Sequence, residues 1–252
     1  MLLREAASPE VYAQVFEPKS QAGPSGLADR PRPFVFRVRH LDGSVVEPGE
    51  PFHVDMNVFV SPQLFGDAFA RWDRATLQRV DYPSEPRRLS LDAAPAQVEG
   101  VRVDFLTPIE LKAQDGIAQR PEFPILFGRV RDRLSTLSAL YGSGPLPIGF
   151  AEMGERAARV RLARCDIRPL AAERRSTRTG QTHPLGGFIG SAEYEGDLAE
   201  FLPYLEAAAW TGVGRQTSWG KGEISVQALS SAQPQPAPDR LSPDRNSDSS
   251  PA

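Results

Sequence analysis

Apolar and polar residues alternate in two segments of the first third of the chain, which is the pattern of half-buried β-strands. Residues 33–40 place Phe34, Phe36 and Val38 on one face. Residues 52–59 likewise align four apolar side chains: Phe52, Val54, Met56 and Val58. Residues 64–77 carry apolar side chains at helical spacing, and residues 87–92 resemble a short strand. Together these patterns predict the order β-β-α-β.

The second half of the chain predicts a longer series of elements. Residues 98–112 alternate as a strand, and residues 123–141 repeat apolar side chains at steps of three and four, as a helix does. Strands are expected near residues 158–169, 186–194 and 221–229. Before the last strand a helix is expected from Asp197, where a capping box begins, with Pro203 kinking or restarting it. The resulting order, β-α-β-β-α-β, is that of a ferredoxin-like unit.

The whole pattern predicts an α+β protein built from tandem ferredoxin-like (RRM-like) units. Residues 1–95 form a first, incomplete unit whose opening strand and helix are missing from the pattern, and residues 96–229 form a complete second unit. Residues 230–252 are rich in proline and serine and are expected to be disordered. Because the first unit is one helix short, we expect poor solubility and a partly uncovered apolar patch: Phe34, Phe36, Val54 and Met56.

The composition is that of an ordinary globular protein of 252 residues, with 40% hydrophobic and 24% charged residues. No apolar run reaches the roughly eighteen residues of a membrane span, and the N-terminal residues lack the pattern of a secretion signal. The single cysteine, Cys165, excludes a disulfide within the chain and a zinc site built from cysteines. A cytoplasmic protein without membrane contacts is therefore expected.

Charge is distributed unevenly along the chain. The net charge of −3 does not by itself indicate a nucleic-acid partner. Residues 156–178, however, contain eight arginines against Asp166 and Glu173, a local surplus of +6. A face exposed only to solvent usually carries charges of both signs. The surplus is therefore equally consistent with an anion-binding surface and with a solvated face.

Residues 212–223, GVGRQTSWGKGE, form a glycine-rich turn that combines Arg215 and Lys221 with four glycines. The spacing does not fit a Walker A loop, which needs a hydroxyl residue after the lysine, or a dinucleotide fingerprint, which needs a small residue at Thr217. The pattern instead favours a close approach of the backbone to the phosphates of a nucleic acid. The alternative is structural, with the glycines ending a helix and shaping a β-bulge.

The segments FLTPIELK (105–112), ERRSTRTGQTHPLGGFIGSAEYEGDL (173–198) and WTGVGRQTSWGKGEI (210–224) carry a more specific signal. Together they resemble the CRISPR-associated endoribonucleases that cut precursor CRISPR RNA, members of the RAMP superfamily. The resemblance implies an RNA-binding endoribonuclease that acts on CRISPR repeat RNA, with other CRISPR effector subunits as candidate partners. It also implies attack by a 2′-hydroxyl that leaves a 2′,3′-cyclic phosphate, without a metal ion or a small-molecule cofactor.

The resemblance also implies roles for individual residues. RNA binding is expected from the basic segment and the glycine-rich turn: Arg174, Arg175, Arg178, Gly212, Gly214, Arg215, Gly220, Lys221 and Gly222. Catalysis is expected from His183, which directly follows the basic segment, with Tyr194 as a weaker candidate that could equally be a packing residue. His53 is expected to be a surface residue, and His40 a packing residue at a strand end.

The sequence departs from the family pattern in its first half. The family's histidine often comes from the first helix of the N-terminal unit, which has no counterpart here, and no first glycine-rich turn is recognisable in residues 73–88. We therefore expect a fragment or a degenerate copy that binds repeat RNA and cuts it slowly or not at all. Two other interpretations remain open: a non-catalytic RAMP subunit that holds guide RNA in an effector complex, and a ferredoxin-like module that binds DNA or protein.

Overall fold

The computed structural model describes residues 9–16, 31–60, 87–94, 97–114, 116–175, 180 and 182–229. Its N-terminal elements are helix α1 (Pro9–Val15) and strands β1 (Phe34–Arg37) and β2 (Asp55–Val58). The remaining elements follow in chain order: β3 (Gly100–Ile109), β4 (Lys112–Ala113), β5 (Gly116–Ile117), α2 (Phe123–Tyr141), α3 (Phe150–Ala157), β6 (Arg161–Leu170), β7 (Glu173–Arg175), β8 (Thr182–Pro184), β9 (Gly187–Glu195), α4 (Leu202–Thr211) and β10 (Ile224–Leu229).

The four long strands of the second half form one antiparallel sheet in the order β10-β3-β9-β6. Strand β3 comes first in the chain but lies inside the sheet, between β10 and β9, as the β-α-β-β-α-β winding requires. The ferredoxin-like order predicted for this half is therefore observed, with helix α3 and the small hairpin β7–β8 added to it. The tandem arrangement of two such units stays a prediction.

The main core lies between this sheet and the helices α2 and α4. In β3 the apolar residues Val101, Val103 and Phe105 alternate with polar ones, and all three are buried. Aromatic rings meet at the centre of the core, where the ring centroid of Phe123 lies 5.1 Å from that of Tyr194 in an edge-to-face contact. The regular burial of one face explains why the alternation in the sequence located this strand.

A second, smaller core forms in the N-terminal part. Strands β1 and β2 pair antiparallel, with Phe34 opposite Val58. Val15 and Phe16 pack against Phe34, which is only 3% exposed. The expectation that Phe34 would be uncovered is therefore wrong, because residues 9–16 provide a helix that covers it. Phe36 is also partly buried in this cluster.

The residues before β2 differ from the prediction. Phe52 and Val54 are 55% and 47% exposed. The alternation predicted burial of both side chains, whereas the exposure of Val54 agrees with the expected uncovered patch. Strand β2 begins only at Asp55, so the preceding residues are not paired with β1. The alternating pattern therefore extends further along the chain than the strand does.

Two boundaries in the second half also differ. Helix α4 begins at Leu202 instead of Asp197, and Pro203 lies in its first turn, where a missing N–H costs no hydrogen bond. The proline therefore starts the helix and does not kink it. Residues 87–92 were expected to form a strand and do not.

Some expectations fall on residues that the structure does not describe. The helix expected at residues 64–77 and the tail at residues 230–252 lie outside the described residues, as do residues 73–86 of the segment in which the first glycine-rich turn was sought. Within the described residues, no helix is both long and apolar enough to cross a bilayer.

Candidate functional site

The glycine-rich turn, residues 212–223, connects α4 to β10 and contains a short 3-10 helix, Thr217–Trp219. Half of its twelve backbone N–H groups, those of residues 212, 213, 215, 219, 220 and 222, donate hydrogen bonds to carbonyl oxygens of the protein. The turn is therefore held by its own backbone and by the end of β3.

The glycines of the turn have clear structural roles. Gly222 has a φ of 73°, and a Cβ atom there would lie 1.9 Å from the carbonyl oxygen of Val213. Gly214 has a φ of 86°, and its Cβ would lie 2.6 Å from the carbonyl oxygen of Glu110. Side chains are excluded at both positions, since the backbone itself is in the way. At Gly220 the nearest atom to a Cβ is 3.7 Å away, but a φ of 88° still favours glycine.

Lys221 lies beneath the turn and not on its surface. It is only 3% exposed. Its Nζ donates to the carbonyl oxygen of Gly186 at 2.7 Å, to Oε1 of Gln216 at 3.0 Å and to Oε2 of Glu110 at 3.2 Å. Burial lowers the pKa of the Lys221 amine, and the neighbouring carboxylate of Glu110 opposes that effect. Lys221 thus ties the turn to the base of the β7–β8 hairpin, a position that leaves it no free donor for RNA.

Glu110 is the carboxylate on which the turn depends. It accepts hydrogen bonds from both Lys221 and Arg215. Burial by itself raises the pKa of the Glu110 carboxyl, but the bonds from Arg215 and Lys221 outweigh it, and the pKa lies below its ordinary value of 4.5. Arg215 remains 58% exposed, so its guanidinium also faces solvent.

The start of the turn is fixed by side chains from three other elements. The last carbonyl oxygens of α4, at residues 209–211, accept hydrogen bonds of 2.8–3.0 Å from Arg37, Asn57 and Arg133. These carbonyls have no partner within the helix, and positive charge beside them is favourable for the helix dipole. The β1–β2 sheet and helix α2 therefore position the residue at which the turn begins.

The two arginines at this helix end are themselves shielded from water. Burial, together with the neighbouring charge of Arg37, lowers the pKa of Arg133 to about 10. Burial also lowers the pKa of Arg37, against the opposing charge of Glu223. Both groups stay charged at neutral pH, and their burial indicates a structural role in place of direct binding to RNA.

Arg174 and Arg175, from the end of the arginine-rich residues 156–178, lie in the hairpin β7–β8. Arg174 pairs with His183 across the hairpin, and Arg175 pairs with Thr182. Arg178 lies outside the described residues. The hairpin joins β6 to β9, and the bond from Lys221 to Gly186 places the glycine-rich turn beside its base. The structure thus brings the predicted basic segment and the predicted turn together.

Part of the arginine surplus is neutralised in the fold. Arg156 forms hydrogen bonds of 2.6 and 2.8 Å with Glu200, and Arg161 pairs with Glu195. The sequence could not indicate these pairs, because the partners lie 44 and 34 residues away in the chain. The exposed arginines nearer the hairpin, such as Arg168, leave its surroundings basic.

Tyr194 is a core residue. It is fully buried, and its hydroxyl donates to the carbonyl oxygen of Pro121 at 2.7 Å. Burial raises the pKa of the Tyr194 hydroxyl well above its ordinary value of 10.0. A residue in this position cannot reach a bound RNA, so the packing alternative describes Tyr194 better than the catalytic one.

Replacing Tyr194 by phenylalanine should therefore reduce stability and leave any RNA cleavage unchanged. Loss of the hydrogen bond to Pro121 is expected to cost about 1 kcal/mol of unfolding free energy. Above pH 10 the unfolded chain releases this proton and the folded chain keeps it, so the wild type loses stability with rising pH and the variant lacks that contribution. Urea unfolding at pH 7 and pH 11 measures both effects, and a loss of cleavage without a loss of stability would contradict the packing role.

Sequence reasoning missed the residues that hold the site together. Glu110 lies in a segment that carried the family resemblance, but nothing marked its carboxylate as the partner of Lys221. Arg37 and Asn57 lie on strands that were predicted correctly, yet their contacts with α4 depend on how the two halves of the chain pack. Glu110 lies 111 residues from Lys221, so no local pattern in the sequence indicated their contact.

Comparison with known proteins gives one family and a group of similar folds. Residues 103–224 match the family of the CRISPR-associated endoribonuclease Cas6. No significant match to a curated protein was found. The matched segment begins in β3 and ends at the start of β10, so it contains both the hairpin and the glycine-rich turn.

Solved structures of Cas6 resemble this chain in fold. The Cas6 (TTHB231) product complex has a TM-score of 0.57 at 19% identity over 90% of this chain and 89% of that chain. The Cas6 (TTHA0078) product complex has a TM-score of 0.51 at 19% identity, with the same coverage. For Thermus thermophilus Cas6 (TTHB231) in another structure, the match covers 52% of this chain and about half, 55%, of that chain, with a TM-score of 0.40 and 21% identity.

Proposed function

We propose, from the match of residues 103–224 to the Cas6 family, that this protein is a Cas6-type endoribonuclease that cleaves CRISPR repeat RNA in precursor transcripts. The 2′-hydroxyl next to the scissile phosphate attacks that phosphate in line, leaving a 2′,3′-cyclic phosphate and a 5′-hydroxyl. The reaction needs a proton acceptor, a proton donor and positive charge near the phosphate, and it needs no metal ion.

The contact between the turn and the hairpin supports this proposal. Lys221 holds the glycine-rich turn against Gly186, which lies two residues after the end of the hairpin β7–β8. RNA lying across this junction would meet the exposed guanidinium of Arg215 and the hairpin strand that contains Arg174 and Arg175. Arginines are well suited to phosphate because the guanidinium donates in a planar, bidentate manner.

His183 is the residue that we assign to proton transfer. His183 is the backbone partner of Arg174 in the hairpin. A histidine at this position can exchange a proton with the 2′-hydroxyl or the leaving 5′-oxygen, while the arginine stabilises the charge that develops on the phosphate. Tyr194 and Lys221 have no part in this assignment, because both are buried in structural contacts.

Replacing His183 by alanine should reduce cleavage of repeat RNA by at least about 100-fold, the contribution typical of general acid–base catalysis, and leave the dissociation constant nearly unchanged. Single-turnover cleavage of end-labelled repeat RNA in EDTA gives the rate, and a gel-shift assay gives the affinity. His53→Ala is the matched control, since it removes another histidine outside the hairpin. Equal cleavage by the His183 variant and the wild type would remove His183 from the mechanism.

The same assay separates the proposed enzyme from the two other functions. Tight binding of repeat RNA by the wild type with no cleavage under any condition would identify a non-catalytic subunit that holds guide RNA. Equal affinity for repeat RNA, unrelated RNA and DNA would indicate a general nucleic-acid-binding module. A substrate with a 2′-deoxy nucleotide at the cleavage position should bind normally and stay intact, because the attacking hydroxyl is missing.

A further inference from the structure

Two histidines and an aspartate come together beside the β1–β2 sheet. His40 lies in the short 3-10 helix Arg39–Leu41 that follows β1, His53 lies just before β2, and Asp55 is the first residue of β2. All three residues are exposed. The imidazole rings of His40 and His53 are stacked, with their centroids 4.2 Å apart. The expectation that His40 is a packing residue is therefore wrong, because the chain turns outward before it.

The hydrogen bonding of His40 orients its ring. Its Nε2 atom lies 3.0 Å from the carbonyl oxygen of His53. A carbonyl oxygen can only accept, so Nε2 carries the proton and the neutral ring keeps a lone pair on Nδ1. That nitrogen faces Oδ2 of Asp55 at 3.9 Å. Two electron-rich atoms facing each other across such a gap are stabilised by a cation between them.

The distances and donor types suit zinc. One ligand atom from each of the three residues lies within 4.8 Å of the other two. Zinc bonds to nitrogen and oxygen are about 2.0–2.2 Å long, so atoms that share one ion lie within about 4 Å of each other. Because the three side chains are exposed, they can rotate to bring their ligand atoms closer together. This rotation turns the His53 ring away from the His40 ring. The bond from Nε2 of His40 to a backbone carbonyl is the kind of second contact that orients zinc-binding histidines.

We propose that His40, His53 and Asp55 form a Zn²⁺ site, with water as the remaining ligand. The ion joins the 3-10 helix to the start of β2, so it closes residues 41–52 into a loop at its base. Its role is to stabilise this loop, which carries the exposed side chains of Val45 and Phe52. The site is separate from the hairpin and the glycine-rich turn, and it does not depend on the proposed ribonuclease activity.

Titration of the metal-free full-length chain with ZnCl₂ in a calorimeter tests the site. One equivalent should bind, and Zn²⁺ at about 100 times the dissociation constant should raise the unfolding midpoint by about 5–10 °C. His53→Ala and Asp55→Asn should each weaken binding at least about 10-fold and remove the shift. Mg²⁺ should bind far more weakly, because it strongly prefers oxygen ligands.

Two variants control for other zinc ligands in the chain. Cys165→Ser and His183→Gln should bind Zn²⁺ as the wild type does, since neither residue belongs to the proposed site. Unfolding curves of every variant without metal show whether each one is folded before the titration. Absence of binding to the wild type, or binding that survives in the folded His53→Ala and Asp55→Asn variants, would overturn the proposal.

Discussion

Replacing Glu110 by glutamine should destabilise the protein by about 3 kcal/mol, which is the low end of the effect of breaking a buried ion pair. The change keeps the shape of the side chain and removes the charge that Lys221 faces. Lys221 is 3% exposed, and its ammonium would be left with neutral acceptors only, the carbonyl of Gly186 and the amide of Gln216. Urea unfolding at pH 7 measures the loss.

A double variant separates an unpaired buried charge from a general disturbance of the turn. Glu110→Gln combined with Lys221→Met removes both charges, so at least half of the lost stability should return. Arg161→Ala is the surface control. It breaks the pair with Glu195 at an exposed position and should cost less than about 1 kcal/mol. A double variant less stable than Glu110→Gln would contradict the account of Lys221.

The carboxylate of Glu110 should also make the stability of the folded protein depend on pH. The pKa of Glu110 is lower in the folded protein than its ordinary value of 4.5. As the pH falls, the unfolded chain binds the proton before the folded protein does. The stabilisation by Glu110 is therefore complete above pH 4.5 and is lost as the pH falls through the pKa of the folded state. Below pH 4.5 the stability of the wild type should fall towards that of Glu110→Gln.

Replacing Arg174, Arg175 and Arg178 by alanine should weaken binding of repeat RNA by about 100-fold at 0.1 M salt. Each contact to a phosphate of single-stranded RNA contributes about 0.7 to the slope of log affinity against log salt, so three contacts change the slope by about 2. Filter binding between 0.05 and about 0.5 M KCl measures both quantities.

The control for this triple variant removes the same charge elsewhere. Arg88, Arg120 and Arg129 are at least partly exposed, and none of them lies in the hairpin or the glycine-rich turn. Their replacement by alanine should change the slope by much less. An unchanged slope in the hairpin variant, or an equal change in the control, would show that the hairpin does not contact the RNA backbone.

The parts of the fold that the sequence predicted well are those in which local periodicity follows burial. The helix at residues 123–141 has the bounds of α2, because its apolar side chains form a continuous buried stripe. The strand within residues 98–112 was located for the same reason. Helix α4 was placed too early because the capping box at Asp197 is a local signal, whereas the helix starts at Leu202, next to Pro203.

The site was predicted less completely, since it depends on contacts between distant parts of the chain. Arg215, the basic hairpin and the glycine-rich turn were recognised from local composition. The burial of Lys221 was not, because its partner Glu110 lies 111 residues away. A lysine between two glycines has the same local pattern whether it faces a phosphate or a buried carboxylate.

Cleavage of a CRISPR repeat RNA by the purified chain, in EDTA and with the fragments identified by mass spectrometry, tests the central claim most directly. The proposed mechanism predicts a single cut whose upstream fragment carries a 2′,3′-cyclic phosphate and whose downstream fragment begins with a 5′-hydroxyl. Bound but intact RNA, or a cut that requires added Mg²⁺ and leaves a 5′-phosphate, would contradict it.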